Sequence, residues 1–188
     1  MGLFKRKKKV GNHDTYKLIK DLKLPFFPFG DSISNSDVVR ICIDRIASQC
    51  AKLKARYIKV GSDGVQTEKS GPIAFLLKYR PNALMTPYQF LYKTISQYLY
   101  NDNAFIYPLY DKETYKLKAL YPLNPLIVEP IEVSVGSYYL KFYFKDASTY
   151  ILPYENVIHL KRFYNDNDFF GGASSTGSHE ALLKTLKI

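Results

Sequence analysis

Tyr138-Tyr139-Leu140-Lys141-Phe142-Tyr143-Phe144 decides the fold class. The segment is dense in aromatic rings, which suit the half-buried, pleated surface of a strand. Reading outward, the same character recurs. Phe105 to Tyr110, Tyr115 to Tyr121, Leu126 to Val133, Thr149 to Leu152 and Val157 to Lys161 are all strand-like. Turn chemistry separates them at Asp111-Lys112-Glu113, Asn124-Pro125, Val135-Gly136-Ser137 and Asp146-Ala147-Ser148. From Ala104 to about Leu160 the chain is therefore a strand meander.

Upstream of the meander the period changes. Val39, Ile43, Ile46, Cys50 and Leu53 recur at helical steps, with Asp37, Arg40, Asp44, Ser48 and Lys52 on the opposite face. Ser36 or Asn35 can cap this helix, and Asp37 suits its positive N-terminal end. Arg56 to Val60 alternates as a short strand that turns at Gly61-Ser62-Asp63-Gly64. A brief helix carrying Ile73, Leu76 and Leu77 follows from Ser70-Gly71-Pro72 and ends at Tyr79-Arg80-Pro81-Asn82. Thr86-Pro87-Tyr88-Gln89 signals a further helix start, with Gln three residues after the Thr cap. Its apolar stripe is Tyr88, Leu91, Tyr92, Ile95 and Leu99, while Phe90 and Tyr100 lie off it. Two to three N-terminal helices packed on a largely antiparallel or mixed β-sheet meander make the class α+β.

Three segments are expected. Residues 1–35 form a basic arm containing Phe and Pro, residues 36–165 the α+β domain, and residues 166–188 a polar, Gly-rich loop followed by the start of a helix. Within the arm, Asp14 to Leu24 can form a short helix that Leu24-Pro25-Phe26-Phe27-Pro28-Phe29-Gly30 breaks. The three phenylalanines are costly to leave in water and are expected to dock on the body or on a neighbouring molecule.

The 188 residues include 46% hydrophobic ones, enough for a packed domain rather than a disordered chain. Residues 1–24 hold eight Lys and Arg against two Asp and Glu, a net of +6 out of +10 overall. Lys5-Arg6-Lys7-Lys8-Lys9 is the candidate polyanion contact, set against a plain solvated leader. Pro81 to Tyr92, the longest charge-free stretch, is twelve residues, well short of the ~18 needed to span a membrane. No apolar run follows the basic cluster, so no secretory signal is read there. Cys42 and Cys50 fall on one helix, roughly 12 Å apart by helical rise, and read as small core residues in a reducing compartment.

Signals for chemistry are sparse. His159 sits on an alternating strand with no carboxylate or nucleophile paired to it by spacing, and reads as a structurally satisfied histidine. Asp166-Asn167-Asp168 opens like a calcium loop, but residue 177 is Gly where the loop needs Glu. Gly171-Gly172-Ala173 lacks the phosphate-cradling patterns, and no zinc-type Cys/His cluster is present. No catalytic residue, cofactor site or metal site is assigned. Tyrosines interleaved with basic residues raise single-stranded nucleic-acid binding as an alternative, but most of those tyrosines follow core stripes.

Several segments taken in order resemble the portal proteins of tailed bacteriophages. They begin with the helix from Asp37 to Ala47 and continue through Leu76-Leu77, Pro81-Asn82, Thr86 and Phe90. Asn103-Ala104-Phe105-Ile106, Leu120-Tyr121-Pro122-Leu123 with Val128, Asn156 to Lys161 and Gly172-Ala173-Ser174 complete the set. The family's "GNA" glycine is Asp102 here, and its "G-x-S-P" continuation is replaced by Ser174-Ser175-Thr176.

The resemblance implies a non-enzymatic, structural wing portion of a subunit from a longer family, truncated before the tunnel helices. It implies a homo-oligomeric ring at one capsid vertex, with DNA passing through it during packaging and ejection. Terminase, capsid and tail connector proteins are the implied partners. The implied location is the virion, with the host cytoplasm during assembly, and no membrane is involved. On this reading Phe26, Phe27, Phe29, Phe90 and Tyr100 are candidate subunit contacts.

Overall fold

A computed structural model describes residues 36–163 and 169–172, together with Lys17–Leu18, Phe27–Pro28, Leu182 and Thr185. The two N-terminal pieces are strands, β1 (Lys17–Leu18) and β2 (Phe27–Pro28). Then come α1 (Asp37–Cys50), the hairpin of β3 (Ile58–Val60) and β4 (Gln66–Glu68), α2 (Pro72–Lys78) and α3 (Pro87–Asn101). The meander follows as β5 (Asn103–Tyr110), β6 (Leu117–Pro122), β7 (Ile127–Ser134), β8 (Ser137–Tyr143) and β9 (Thr149–Pro153). A single 3-10 turn (Tyr154–Asn156) leads into β10 (Ile158–Lys161).

The strands form two main sheets, antiparallel throughout. One has the order β10-β5-β6. The other runs β1-β7-β8-β9, with β2 also paired to β7. The expected α+β meander is thus present. At Lys17 and Leu18 the chain is a strand where the helix from Asp14 to Leu24 is expected, pairing with Glu132 and Ile131 of β7; the rest of that expected helix lies outside the described residues. A helix that short is marginal by itself, and the free side of β7 offers the backbone ready partners.

Layering explains the burial. Asn103 to Ile106 of β5 are buried in succession because both faces of that strand are covered. Phe105 meets Phe142 of β8 edge-on at 5.3 Å, joining the two sheets through a core that includes Val128, Leu140, Val157 and Phe170. Ile106 faces the other way, into a cluster with Phe90 of α3 and Leu120 of β6.

On α1 the inward face overlaps the expected stripe at Val39, Ile43 and Cys50 but is rotated from it, and on α3 it lies off the stripe. On α1 the buried residues are Ile43 and Ala47, continued by Ala51, while Ile46 is 48% exposed and Leu53, past the helix end, is exposed. Cys42, expected in the core, is exposed, and Cys50 is half-buried; both are free thiols. Small alanines let α1 lie close to α3, as ridge-into-groove packing requires. On α3 the buried residues are Phe90, Thr94 and Gln97, and the expected stripe lies along its flank, partly towards α1. The Thr94 hydroxyl donates to the Phe90 carbonyl, and Gln97 Nε2 donates to the Leu123 carbonyl, while Gln97 Oε1 is buried with no partner among the described residues. The Thr86–Gln89 capping box forms as the sequence predicts.

Candidate functional site

The strand that carries His159 also builds a clasp. Asn103 opens β5 immediately after Asp102, which ends α3 in the left-handed conformation at φ 52°. Asn103 is fully buried, and its amide reaches across the chain. Asn103 Oδ1 accepts from the Gly171 N–H at 2.8 Å, and Asn103 Nδ2 donates to the carbonyls of Asn101 and Gly171. His159 Nε2 lies 2.9 Å from the same Oδ1. An amide oxygen only accepts, so Nε2 carries the proton. Nδ1 then accepts from the Tyr154 hydroxyl at 3.1 Å.

The ring stacks on Phe105 at 4.1 Å between centroids. Burial, reinforced by the positive charge of Lys161, pushes its pKa down to about 3. It is neutral at physiological pH, with both nitrogens occupied, so it is poorly placed to act as a base. The structurally satisfied reading of His159 therefore holds.

The clasp seats Phe169–Gly172. Phe170, Gly171 and Gly172 are buried, so the expected Gly-rich loop is packed against the body at these residues. The Gly172 N–H donates to the Arg162 carbonyl, and the Arg162 N–H donates to the Asp102 carbonyl, each at 2.8 Å. A Cβ on Gly171 would stand 2.5 Å from the Arg162 carbonyl oxygen and press closer still on the Asp102 carbonyl.

A groove of about 490 Å³ runs between α2 and the β5–β6 ribbon, lined by Phe75, Leu76, Leu109, Leu117 and Tyr121 among others. Its charged lining residues, Arg80 and Lys118, are both cations, so no acid–base pair converges there. Among the described residues no three His, Cys, Asp or Glu side chains gather as a metal set. No helix among them is long and apolar enough to cross a membrane.

The candidate contact residues fare differently. Phe90 is 6% exposed and packs against Ile106 and Leu120, so it is core and not contact surface. The sequence signal failed because α3 buries two sides, and a residue off one stripe lies on the other. Tyr100 is half-buried at the end of α3. Phe27 pairs with Val128 of β7, so this part of the arm lies on the chain's own sheet. Phe26, Phe29 and the run Lys5, Arg6, Lys7, Lys8, Lys9 lie outside the described residues, as do Asp166, Asn167 and Asp168.

Sequence reading missed the exposed apolar residues of the β3–β4 hairpin, Tyr57, Ile58, Val60 and Val65, and those of α1 and α2, such as Val38, Ile41 and Phe75. Alternation and helical spacing mark such residues as inward. Only the neighbouring elements reveal that nothing described covers them.

What these observations define is a layered α+β domain in which the buried Asn103 ties β5 to β10 and to the Gly171 segment. The comparisons agree with that class. A model of the phage portal protein family matches residues 37–188, and the chain belongs to this family of structural proteins. No curated protein matches. Among solved structures, a chain in the neck of an empty GTA particle, computed with C6 symmetry, shares the fold at a TM-score of 0.56 and 14% identity. The similarity covers 94% of this chain and 46% of that one, so this chain spans less than half of its solved relative.

Proposed function

We propose that this chain is the wing portion of a portal subunit, without enzymatic activity. Copies of it stand in a ring at a capsid vertex through which DNA is packaged and ejected. The observation that carries the reading is the family match over residues 37–188.

Residues 36–165 act as the wing body, residues 1–35 as an arm, and residues 166–188 as a loop and the start of a helix. Phe26, Phe27, Phe29 and Tyr100 touch neighbouring subunits, and the Lys5–Lys9 run contacts a polyanion. Terminase, capsid and tail connector proteins bind the assembled ring, which forms in the host cytoplasm and ends in the virion.

The test is native mass spectrometry and electron microscopy of the purified protein, followed by its omission from assembling particles. Closed rings of one copy number, and DNA-free capsids on omission, are expected. A strictly monomeric protein whose omission leaves filled capsids rejects the reading.

A further inference from the structure

The β3–β4 hairpin is an anomaly in a closely layered domain. It holds three residue pairs, Ile58 with Glu68, Lys59 with Thr67 and Val60 with Gln66, and every one of these residues is exposed. A two-stranded ribbon of this size is marginal in water without a surface to lie on. One further bond, from the Lys69 N–H to the Tyr57 carbonyl at 2.8 Å, extends the ribbon itself, and Glu68 reaches Lys78 of α2 at 3.7 Å. The ribbon nevertheless displays Tyr57, Ile58, Val60 and Val65, up to 59% exposed.

Charge says what kind of surface would receive it. Residues 52–80, which include the hairpin and α2, hold seven Lys and Arg against two Asp and Glu, a net of +5. Residues 124–157, which form β7, β8 and β9, hold four acids against two lysines, a net of −2. Glu129 there is engaged by Lys141 at 3.8 Å, whereas Asp146 and Glu155 are exposed at the two ends of β9. Strand β9 is also the end of its sheet: no strand among the described residues pairs with its outer side, and Ile151 on it is exposed. A strand edge that no described strand covers, beside carboxylates, suits a basic, apolar ribbon.

We propose that the β3–β4 hairpin of one copy docks on the β9 edge of the next copy, basic ribbon against acidic sheet. This rests on the ring reading and names its contact. The patches differ, so each copy offers one and receives on the other, the head-to-tail arrangement that closes a ring. A two-fold dimer through the hairpins would set like charges together. Ile58, Val60 and Val65 also argue for a protein occupant, since a phosphate backbone leaves aliphatic surface uncovered.

The experiment is a charge exchange in the full chain. Lys54→Glu, Arg56→Glu and Lys59→Glu together reverse the ribbon; Asp146→Asn with Glu155→Lys reverses the sheet and keeps the Asp146 turn. Each set alone is expected to weaken self-association about tenfold or more by sedimentation velocity, with both sets combined recovering most of it. All five sites are exposed, and an unchanged circular dichroism melt confirms the fold. Cross-linking of mixed light and heavy copies is expected to join Lys59 to Lys145 between molecules.

Rings that persist in the ribbon variant overturn the proposal while leaving the ring reading standing. Disruption without recovery in the combined set means that the ribbon meets another surface, and also overturns it. Loss of duplex DNA binding with unchanged rings assigns the ribbon to a polyanion and does the same. A wild-type protein that never associates removes the ring reading itself.

Discussion

Asn103 joins partners that the sequence keeps far apart, since His159 lies 56 residues away and Gly171 lies 68 away. That separation is why the sequence shows His159 as satisfied without showing by what. Asn103→Ala leaves the buried Gly171 N–H and the His159 Nε2–H without their acceptor, and is expected to cost roughly 2–4 kcal/mol in denaturant unfolding. Gly171→Ala, which forces a methyl between two carbonyls, is expected to cost roughly 1–3 kcal/mol.

The histidine also sets a pH signature. Its folded pKa of about 3 lies below the unfolded value of about 6.5, so the neutral form is the one folding selects. Its contribution is fully present above about pH 6.5 and is lost as pH falls towards 3, because the unfolded chain takes up the proton first. Between about pH 6 and 4 the slope approaches but does not exceed roughly 1.4 kcal/mol per pH unit. His159→Gln keeps a donor near Asn103 without a titrating ring. Unfolding free energies for the two proteins are expected to diverge at pH 7 and converge towards pH 4; parallel curves would refute the assignment.

At the scale of elements, most of the architecture was legible. Local signals act within a few residues, and the strands, the turn at Gly136 and the Thr86 cap all depend on such signals. What was not legible is which side of each helix faces inward, because α1 carries apolar residues around much of its circumference. Val38, Ile41 and Ile46 stand exposed while Ala47 and Ala51 are buried. A hydrophobicity count favours the isoleucines, but close helix approach favours the alanines. The two faces predict opposite outcomes for the same chemical change. Ile43→Ala, at an 8% exposed position, is expected to cost roughly 2–4 kcal/mol, whereas Ile46→Ala should stay within about 0.5 kcal/mol. Equal costs at the two sites would mean that α1 is seated as the sequence stripe implies. The same limit applies to Phe90: a helix between a sheet and another helix has two inward sides, and one stripe describes only one of them.

The whole molecule is electrically lopsided, with the cations of residues 52–80 and the acids of residues 124–157 in different layers. If copies meet basic ribbon to acidic sheet, assembly must respond to salt in a way that folding does not. Raising the ionic strength from about 0.01 to 1 M shortens the screening length from about 30 to 3 Å, which weakens attraction between exposed charges. Core contacts such as Phe105 on Phe142 are apolar and buried, so the unfolding midpoint is expected to move little over that range. Self-association is expected to fall at least several-fold, with the slower arrival of one copy at the next as the larger part of the change. In the Lys54→Glu, Arg56→Glu, Lys59→Glu protein the ribbon and sheet are both acidic, so salt should instead strengthen the residual association. A wild-type association constant that holds constant or rises with salt would mean that apolar contact alone drives assembly, and that the charge asymmetry plays no part in choosing the neighbour.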